Sequence, residues 1–183
     1  MCIRDRSTIG ASPEERGVVR TMRVACVLLL AVALSACYQS TLPLGPPERG
    51  TIDSTLVGPW SCVDPRDATN RAVVTSVPID RHRYDIEWRE APGHVTRYRA
   101  CATKIGTEAL LNVEEVGPPR TPSRFLFLRA RPTPGGGLSI AVVQEEALKW
   151  RKGTNAIREI TTRVSDPTLY GPFATCTATV RRP

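Results

Sequence analysis

The sequence contains little of the chemistry on which most hydrolytic and metal centres depend. Its 183 residues include only two histidines, His82 and His94. His82 lies in the turn-like stretch 80–83 and His94 in a predicted hairpin connection, so neither is expected beside a nucleophile and a supporting acid, as acyl-transfer chemistry requires. No two histidine or cysteine residues, the ligands typical of zinc sites, lie two or four positions apart on one predicted element. We therefore expect a protein that is not an enzyme, with no catalytic residues, no metal site and no cofactor.

The sequence also lacks an apolar run long enough to cross a bilayer as a helix. The run Val24–Leu34 has 11 residues, whereas a transmembrane helix needs about 20. The formal charge of +7 arises from 25 basic and 18 acidic residues, and the basic residues are spread along the chain without a run of five. Because nucleic-acid binding needs a concentrated basic patch, nucleic acid is not an expected partner.

A short leader pattern precedes Cys37. Arg23 supplies a positive charge before the apolar run, whose length suits the hydrophobic region of a secretory signal. The run ends in Leu34-Ser35-Ala36-Cys37, which resembles the lipobox of bacterial lipoproteins. The resemblance implies that the Cys37 thiol receives a diacylglyceryl group, that the chain is cleaved before Cys37, and that the new amine is acylated, which would give stable membrane anchoring. An ordinary signal peptide with an unrelated cysteine, or a buried apolar helix, is the alternative interpretation.

These patterns divide the chain into four segments. Residues 1–21 are mostly polar and begin with a stretch that resembles a translated sequencing adaptor, so we take Met22 as the start of the protein. A genuine but long start to the leader is the alternative. Residues 22–36 are the predicted signal peptide. Residues 37–55 are the predicted lipidated cysteine and a flexible tether, because prolines and glycines interrupt any periodic element. Residues 56–183 are the predicted β-barrel domain.

Short alternating runs separated by turn residues dominate this domain, which is typical of a sandwich or a barrel. A period of two places one face of a strand in a core and the other in water. Three runs show such a face, and Pro78 at the end of the third favours an edge position or a bulge. The faces are Tyr84, Ile86 and Trp88; Tyr98, Ala100 and Ala102; and Val73, Thr75, Val77 and Ile79.

Two later runs, 125–131 and 138–143, are apolar on both faces, so a further element should cover them. A helix over residues 154–164, stopped by Pro167, is the expected cover. Its apolar side chains recur at helical spacing, at Ile157, Ile160 and Val164.

A shorter helix at 145–151, anchored by Leu148 and Trp150, and a last strand at 173–180 complete the pattern. Seven or eight strands with one or two short helices near the C-terminus fit a small antiparallel up-and-down barrel. Gly58-Pro59-Trp60 resembles the Gly-x-Trp start of lipocalin-like barrels. Further segments are similar to a group of small bacterial lipoproteins, a likeness that implies no particular activity: Leu110–Asn112, the Phe-Leu-Arg strand at 127–129, Asp166–Tyr170 and Cys176.

Three cysteines remain after Cys37, an odd number for an oxidising compartment. Cys62 shares a face with Trp60, and Cys176 lies on the apolar face of the last strand. Because the first and last strands of a closed barrel are neighbours, we predict a Cys62–Cys176 disulfide. Cys101 lies on an arginine-bearing face and is predicted to be free and to point outward. Three unpaired cysteines, or a Cys62–Cys101 pair, are the alternatives.

Four aromatic residues on the predicted inward faces could line a small apolar pocket or simply fill a narrow barrel. They are Trp60, Tyr84, Trp88 and Tyr98. The expected function is a lipid-anchored, non-enzymatic envelope module that binds an envelope protein or has a structural role. A periplasmic protease-inhibitor-like barrel and a carrier of a small apolar ligand are the alternatives. Tyr38 and Gln39 follow Cys37. An aspartate at this place would resemble an inner-membrane retention signal, and because it is lacking, outer-membrane sorting is expected.

Overall fold

Eight antiparallel strands close into an up-and-down barrel, as the sequence predicts. The computed structural model describes residues 37–118 and 122–179, so the predicted segments 1–21 and 22–36 lie outside the described residues. Each strand pairs with the next along the chain, and the last pairs with the first. The strands are β1 (Gly58–Asp64), β2 (Asp67–Pro78), β3 (Arg83–Glu90), β4 (His94–Ile105), β5 (Glu108–Glu115), β6 (Phe125–Thr133), β7 (Gly137–Val143) and β8 (Tyr170–Ala178), and helix α1 (Gly153–Thr162) lies between β7 and β8.

Alternating side chains fill the barrel, since every second residue of a strand points inward. One interior cluster combines residues of β1, β2, β7 and β8, and a second combines residues of β3 to β7. Burying each large apolar side chain contributes about 1.5–3 kcal/mol. The buried members are Trp60, Cys62, Val74, Leu138, Ala174 and Cys176 in the first cluster, and Tyr84, Ala100, Val113, Leu128 and Val142 in the second.

A third apolar cluster lies outside the barrel, where α1 covers outward-facing residues of β5, β6 and β7. This arrangement confirms that the strands which are apolar on both faces are covered by the predicted helix. The helix ends two residues earlier than predicted, but Val164 still packs in the cluster at 8% exposure. Its buried members are Tyr38, Leu110, Phe127, Val143, Leu148, Ala156, Ile160, Val164 and Leu169.

Residues 37–50, which we call the N-terminal strap, lie along the outside of the barrel. The amide of Tyr38 donates to the carbonyl of Val143 (3.1 Å), and Ser40 exchanges backbone hydrogen bonds with Phe125. Farther along, the amide of Leu44 donates to Oδ1 of Asn112 (2.7 Å). The structure therefore differs from the predicted flexible tether, because isolated apolar side chains in the strap bury themselves against β5 and β6.

Residues 52–57 follow the strap and cap one end of the barrel. Ile52, Leu56 and Val57 pack against the interior cluster that contains Tyr84. The amide of Asp53 donates to the Tyr84 hydroxyl, which satisfies this buried polar group. We call this end the capped end.

The alternating face predicted on β2 is its outer face. Val73, Val77 and Ile79 are 46%, 45% and 50% exposed, whereas Ala72 and Val74 point inward and are buried. Pro78 ends β2, where a missing amide hydrogen bond costs little. Both faces of this strand carry small or β-branched residues, so the period alone did not decide which face is buried.

The shorter predicted helix is a single 3-10 turn, Glu146–Leu148. Leu148 is fully buried, as predicted of an anchor, but Trp150 is 62% exposed. The prediction for Trp150 was therefore wrong. Lys149 and Trp150 have φ angles of 49° and 61°, in the left-handed region, and this reversal turns the indole away from the cluster. None of the helices in the described residues has the length and apolar character that crossing a membrane requires.

Candidate functional site: the Cys37 end of the barrel

The predicted lipidation site, Cys37, lies at the end of the barrel opposite the cap. The odd-numbered strands run toward this end, and Cys37 forms an isolated backbone bridge with Gln144, directly after β7. Cys37 is the first residue of the compact unit that contains the barrel. We call this end the Cys37 end.

The Cys37 thiol is unpaired and half-buried. It packs against the edge of the interior cluster that contains Val142. Burial raises the pKa of the thiol, the nearby Arg66 guanidinium opposes that rise, and Glu146 adds to it. A neutral thiol at ordinary pH is a weak nucleophile, so the environment of Cys37 does not favour catalysis by this residue.

The predicted disulfide between Cys62 and Cys176 is confirmed. The two residues face each other directly in the pairing of β1 with β8, with their Cα atoms 4.0 Å apart, and both are 1% exposed. The bond joins the two strands that close the barrel, so it locks the closure covalently.

Cys101 is free, as predicted, but it is buried. It lies on the outer face of β4, opposite Asn112 of β5, and the strap covers it there. Burial raises the pKa of its thiol, and a hydrogen bond with Asn112 only partly opposes the rise. The predicted direction was correct, but the thiol does not reach solvent because the strap, expected to be a tether, lies over it.

The four predicted lining residues divide into two pairs. Trp60 and Tyr84 are 4% and 1% exposed and belong to the packed core near the capped end. Trp88 and Tyr98 also face inward, each against a different interior cluster, but are half-buried. Nε1 of the Trp88 indole donates to the Glu90 carboxylate (2.8 Å), so its polar edge is satisfied.

Sequence reasoning missed Phe173, whose ring centroid lies 5.8 Å from that of Trp88 in a tilted arrangement. Phe173 is half-buried and packs against both interior clusters. Its register could not be read from the sequence, because a bulge at Ile140/Ala141 shifts the pairing of β7 with β8. The accessible part of the interior therefore carries three aromatic side chains, Trp88, Tyr98 and Phe173.

His82 lies in the bend before β3, as its sequence position predicts, whereas His94, predicted in the hairpin connection, is the first residue of β4 and pairs with Glu90. Nδ1 of His82 lies 2.7 Å from the carbonyl oxygen of Gly50, so this ring holds the end of the strap. His94 is exposed, and its Nε2 lies 3.2 Å from Oγ1 of Thr96. No group of three or more metal-ligating side chains occurs within residues 37–118 and 122–179.

A second residue that sequence reasoning missed is Arg129, on the outer face of β6. Its guanidinium carbon lies 3.7 Å from the ring centroid of Tyr170, a cation–π contact. The residue is 9% exposed, and Nη1 has no hydrogen-bond partner in the described part of the chain. The Tyr170 hydroxyl donates instead to the carbonyl of Val164 (2.7 Å). The sequence analysis quoted Arg129 only as part of the Phe-Leu-Arg likeness and assigned it no role, because nothing in the sequence shows that a charged residue in this apolar strand is covered from outside.

Comparison with protein-family models, with curated proteins and with solved structures finds no match to this chain.

Proposed function

We propose that this protein is a bacterial envelope lipoprotein, anchored by acyl chains on Cys37, whose barrel is a non-enzymatic binding or structural module. The observation that carries the proposal is the place of Cys37 in both the sequence and the fold. In the sequence, Cys37 ends a lipobox-like motif that follows a leader-like segment. In the fold, it is unpaired and half-buried, and it is the first residue of the compact unit that contains the barrel.

The packed strap gives the anchor a specific geometry. Tyr38 is 1% exposed and is hydrogen-bonded to Val143, so the chain is fixed to the barrel immediately after the anchor. Two or three acyl chains on Cys37 give stable attachment, where a single chain gives only marginal binding. The barrel is then held at the membrane surface without a long spacer.

Metabolic labelling with palmitate tests the anchor directly. The chain from Met22 is expressed in a Gram-negative host, together with Cys37→Ala and, as a matched control, Cys101→Ala. We expect label on the unaltered protein and on Cys101→Ala, and none on Cys37→Ala. The proposal would be overturned if Cys37→Ala carried label, or if the unaltered protein were exported and folded but carried none.

A carrier of a small apolar ligand is the second candidate for the barrel itself. It is favoured by the half-buried inward-facing rings of Trp88, Tyr98 and Phe173. A long-chain fatty acid bound among them should change the emission of Trp88, and Trp88→Phe should remove the response. Trp150→Phe, which alters an indole outside the barrel, should retain it. A response that survives Trp88→Phe would place the ligand elsewhere.

The inhibitor-like alternative has less support. It would use residues 38–55 as the segment that inserts into a protease. That segment instead packs on the barrel, through Tyr38 and Leu44, and ends in the cap. Inserting it elsewhere would expose these apolar side chains and break their hydrogen bonds.

We also propose sorting to the outer membrane, facing the periplasm, because tyrosine and glutamine follow Cys37 in place of aspartate. Separation of the inner and outer membranes tests this proposal, with label in the outer fraction as the expected result. Recovery in the inner membrane would contradict it. A sorting variant at Tyr38 is unsuitable, since this side chain belongs to the core.

A further inference from the structure

Trp150 is the most exposed large apolar side chain in the described part of the molecule, at 62%. It lies in Lys149–Lys152, a stretch of three cations around one indole, which we call the tryptophan loop. Two consecutive residues of this loop, Lys149 and Trp150, have left-handed backbone angles, which is uncommon for residues other than glycine. The backbone thus holds the indole toward solvent.

Two contacts place the tryptophan loop beside the anchor. On one side, Leu148 is fully buried in the cluster that contains Tyr38. On the other, Nζ of Lys152 lies 5.8 Å from the centroid of the Tyr38 ring. Trp150 lies two residues from Leu148 and two from Lys152, so its Cα lies within about 7 Å of the Cα of each. Since Tyr38 follows Cys37, the exposed indole and the proposed acyl chains lie at the same end of the barrel.

The charges of the tryptophan loop are largely balanced. Arg151 pairs with Glu159 and Lys152 pairs with Glu145. Lys149 forms no ion pair with any described residue. Attraction to anionic headgroups alone is therefore weak, and the indole must supply most of the binding.

We propose that the tryptophan loop is a second membrane contact, in which Trp150 enters the headgroup region of the bilayer next to the acylated Cys37. Tryptophan favours the membrane–water interface because its ring is apolar and its N–H is polar. The unpaired Lys149 would lie among lipid phosphates. This inference rests on the proposed acylation of Cys37, and it predicts that the Cys37 end faces the membrane while the capped end faces away.

Fluorescence of the acylated protein in lipid vesicles tests the orientation. Vesicles of phosphatidylethanolamine and phosphatidylglycerol are prepared with and without brominated acyl chains, which quench nearby indoles. Subtracting the emission of Trp150→Phe isolates Trp150 from the two interior tryptophans. We expect its emission to shift to shorter wavelength on vesicle binding and to lose most of its intensity with brominated lipid.

The matched control places an indole at the opposite end of the barrel. Ile79 is 50% exposed and follows β2 near the capped end, so Ile79→Trp in the Trp150→Phe background should keep a solvent-like, unquenched emission. The difference in quenching between the Trp150 indole and this control indole measures which end of the barrel faces the membrane, and not only whether the protein is attached to it.

The outcomes separate the two proposals. The mass of the purified protein is measured first, and a mass without acyl chains would overturn the proposed function and this inference together. If the protein is acylated but the emission of Trp150 stays solvent-like, or is quenched no more than that of the Ile79→Trp indole, only the proposed membrane contact is overturned. The same result is expected if the indole instead binds another protein.

Discussion

Reducing the Cys62–Cys176 disulfide should destabilise the barrel strongly. The bond joins residues 114 positions apart, and reduction releases this constraint from the unfolded chain. For a loop of that length, the chain-entropy relation gives about 4–5 kcal/mol. A domain of this kind has a total stability of about 5–15 kcal/mol, so the reduced protein should lie close to its unfolding threshold. The loss is large because the bond closes the barrel between its first and last strands.

Urea unfolding of residues 37–183 with Cys37→Ser measures this effect with and without reductant. Cys101 is unpaired, so reduction changes one bond only. Cys101→Ala should show the same difference between the oxidised and reduced forms, whereas Cys62→Ala/Cys176→Ala should not respond to reductant. A loss below about 1 kcal/mol on reduction would refute the reasoning, since it would mean that the bond does not constrain the unfolded chain.

Three further predictions test the packing around the barrel by urea unfolding. Tyr38→Ala removes a buried side chain and should lower the free energy of unfolding by about 3–5 kcal/mol. Gln39 is exposed, so Gln39→Ala should change the free energy of unfolding by less than about 0.5 kcal/mol. Equal effects of the two substitutions would contradict a packed strap. Arg129→Met should change the free energy of unfolding by less than about 1 kcal/mol, because the guanidinium that it removes is buried and has one nitrogen without a hydrogen-bond partner. A larger loss would show that the charge is needed. Hydrogen bonds from Thr168 lower the pKa of Asp166 to about 2, so its carboxylate stabilises the folded state above about pH 4 and this contribution is lost as the pH falls toward 2. Asp166→Asn should therefore flatten the decline of unfolding free energy between about pH 4 and 2, and an unchanged slope would contradict the assignment.

The barrel and its disulfide were predictable because both depend on a period of two. Cys62 shares a face with Trp60 and Cys176 lies on the apolar face of the last strand, so parity within each strand places both inside, and closure makes their strands neighbours. The covering helix followed from a different argument, namely that strands with two apolar faces cannot leave one of them in water.

The strap was not predictable from the same rules. Its prolines and glycines exclude helices and regular strands, which the sequence analysis took to mean a flexible segment. Its attachment depends on single residues, such as Tyr38 and Leu44, that form no periodic pattern, and on partners far away in the sequence, such as Asn112. The burial of Cys101 could not be foreseen for the same reason.

The candidate site also combines residues that a local sequence pattern predicts with residues that no local pattern predicts. Cys37 was identified from a local motif, whereas Trp150 was assigned to a helix that ends before it. A left-handed turn at two non-glycine residues has no sequence signal, so its exposed indole became evident only from the backbone. Phe173 was missed because a bulge alters the register.

The mass of the N-terminal peptide, isolated from bacterial membranes, tests the central claim most directly. The account predicts a mature chain that begins at Cys37 and carries a diacylglyceryl group on the thiol and an acyl chain on the amine. A mature chain that begins at another residue, or an unmodified Cys37, would contradict the account.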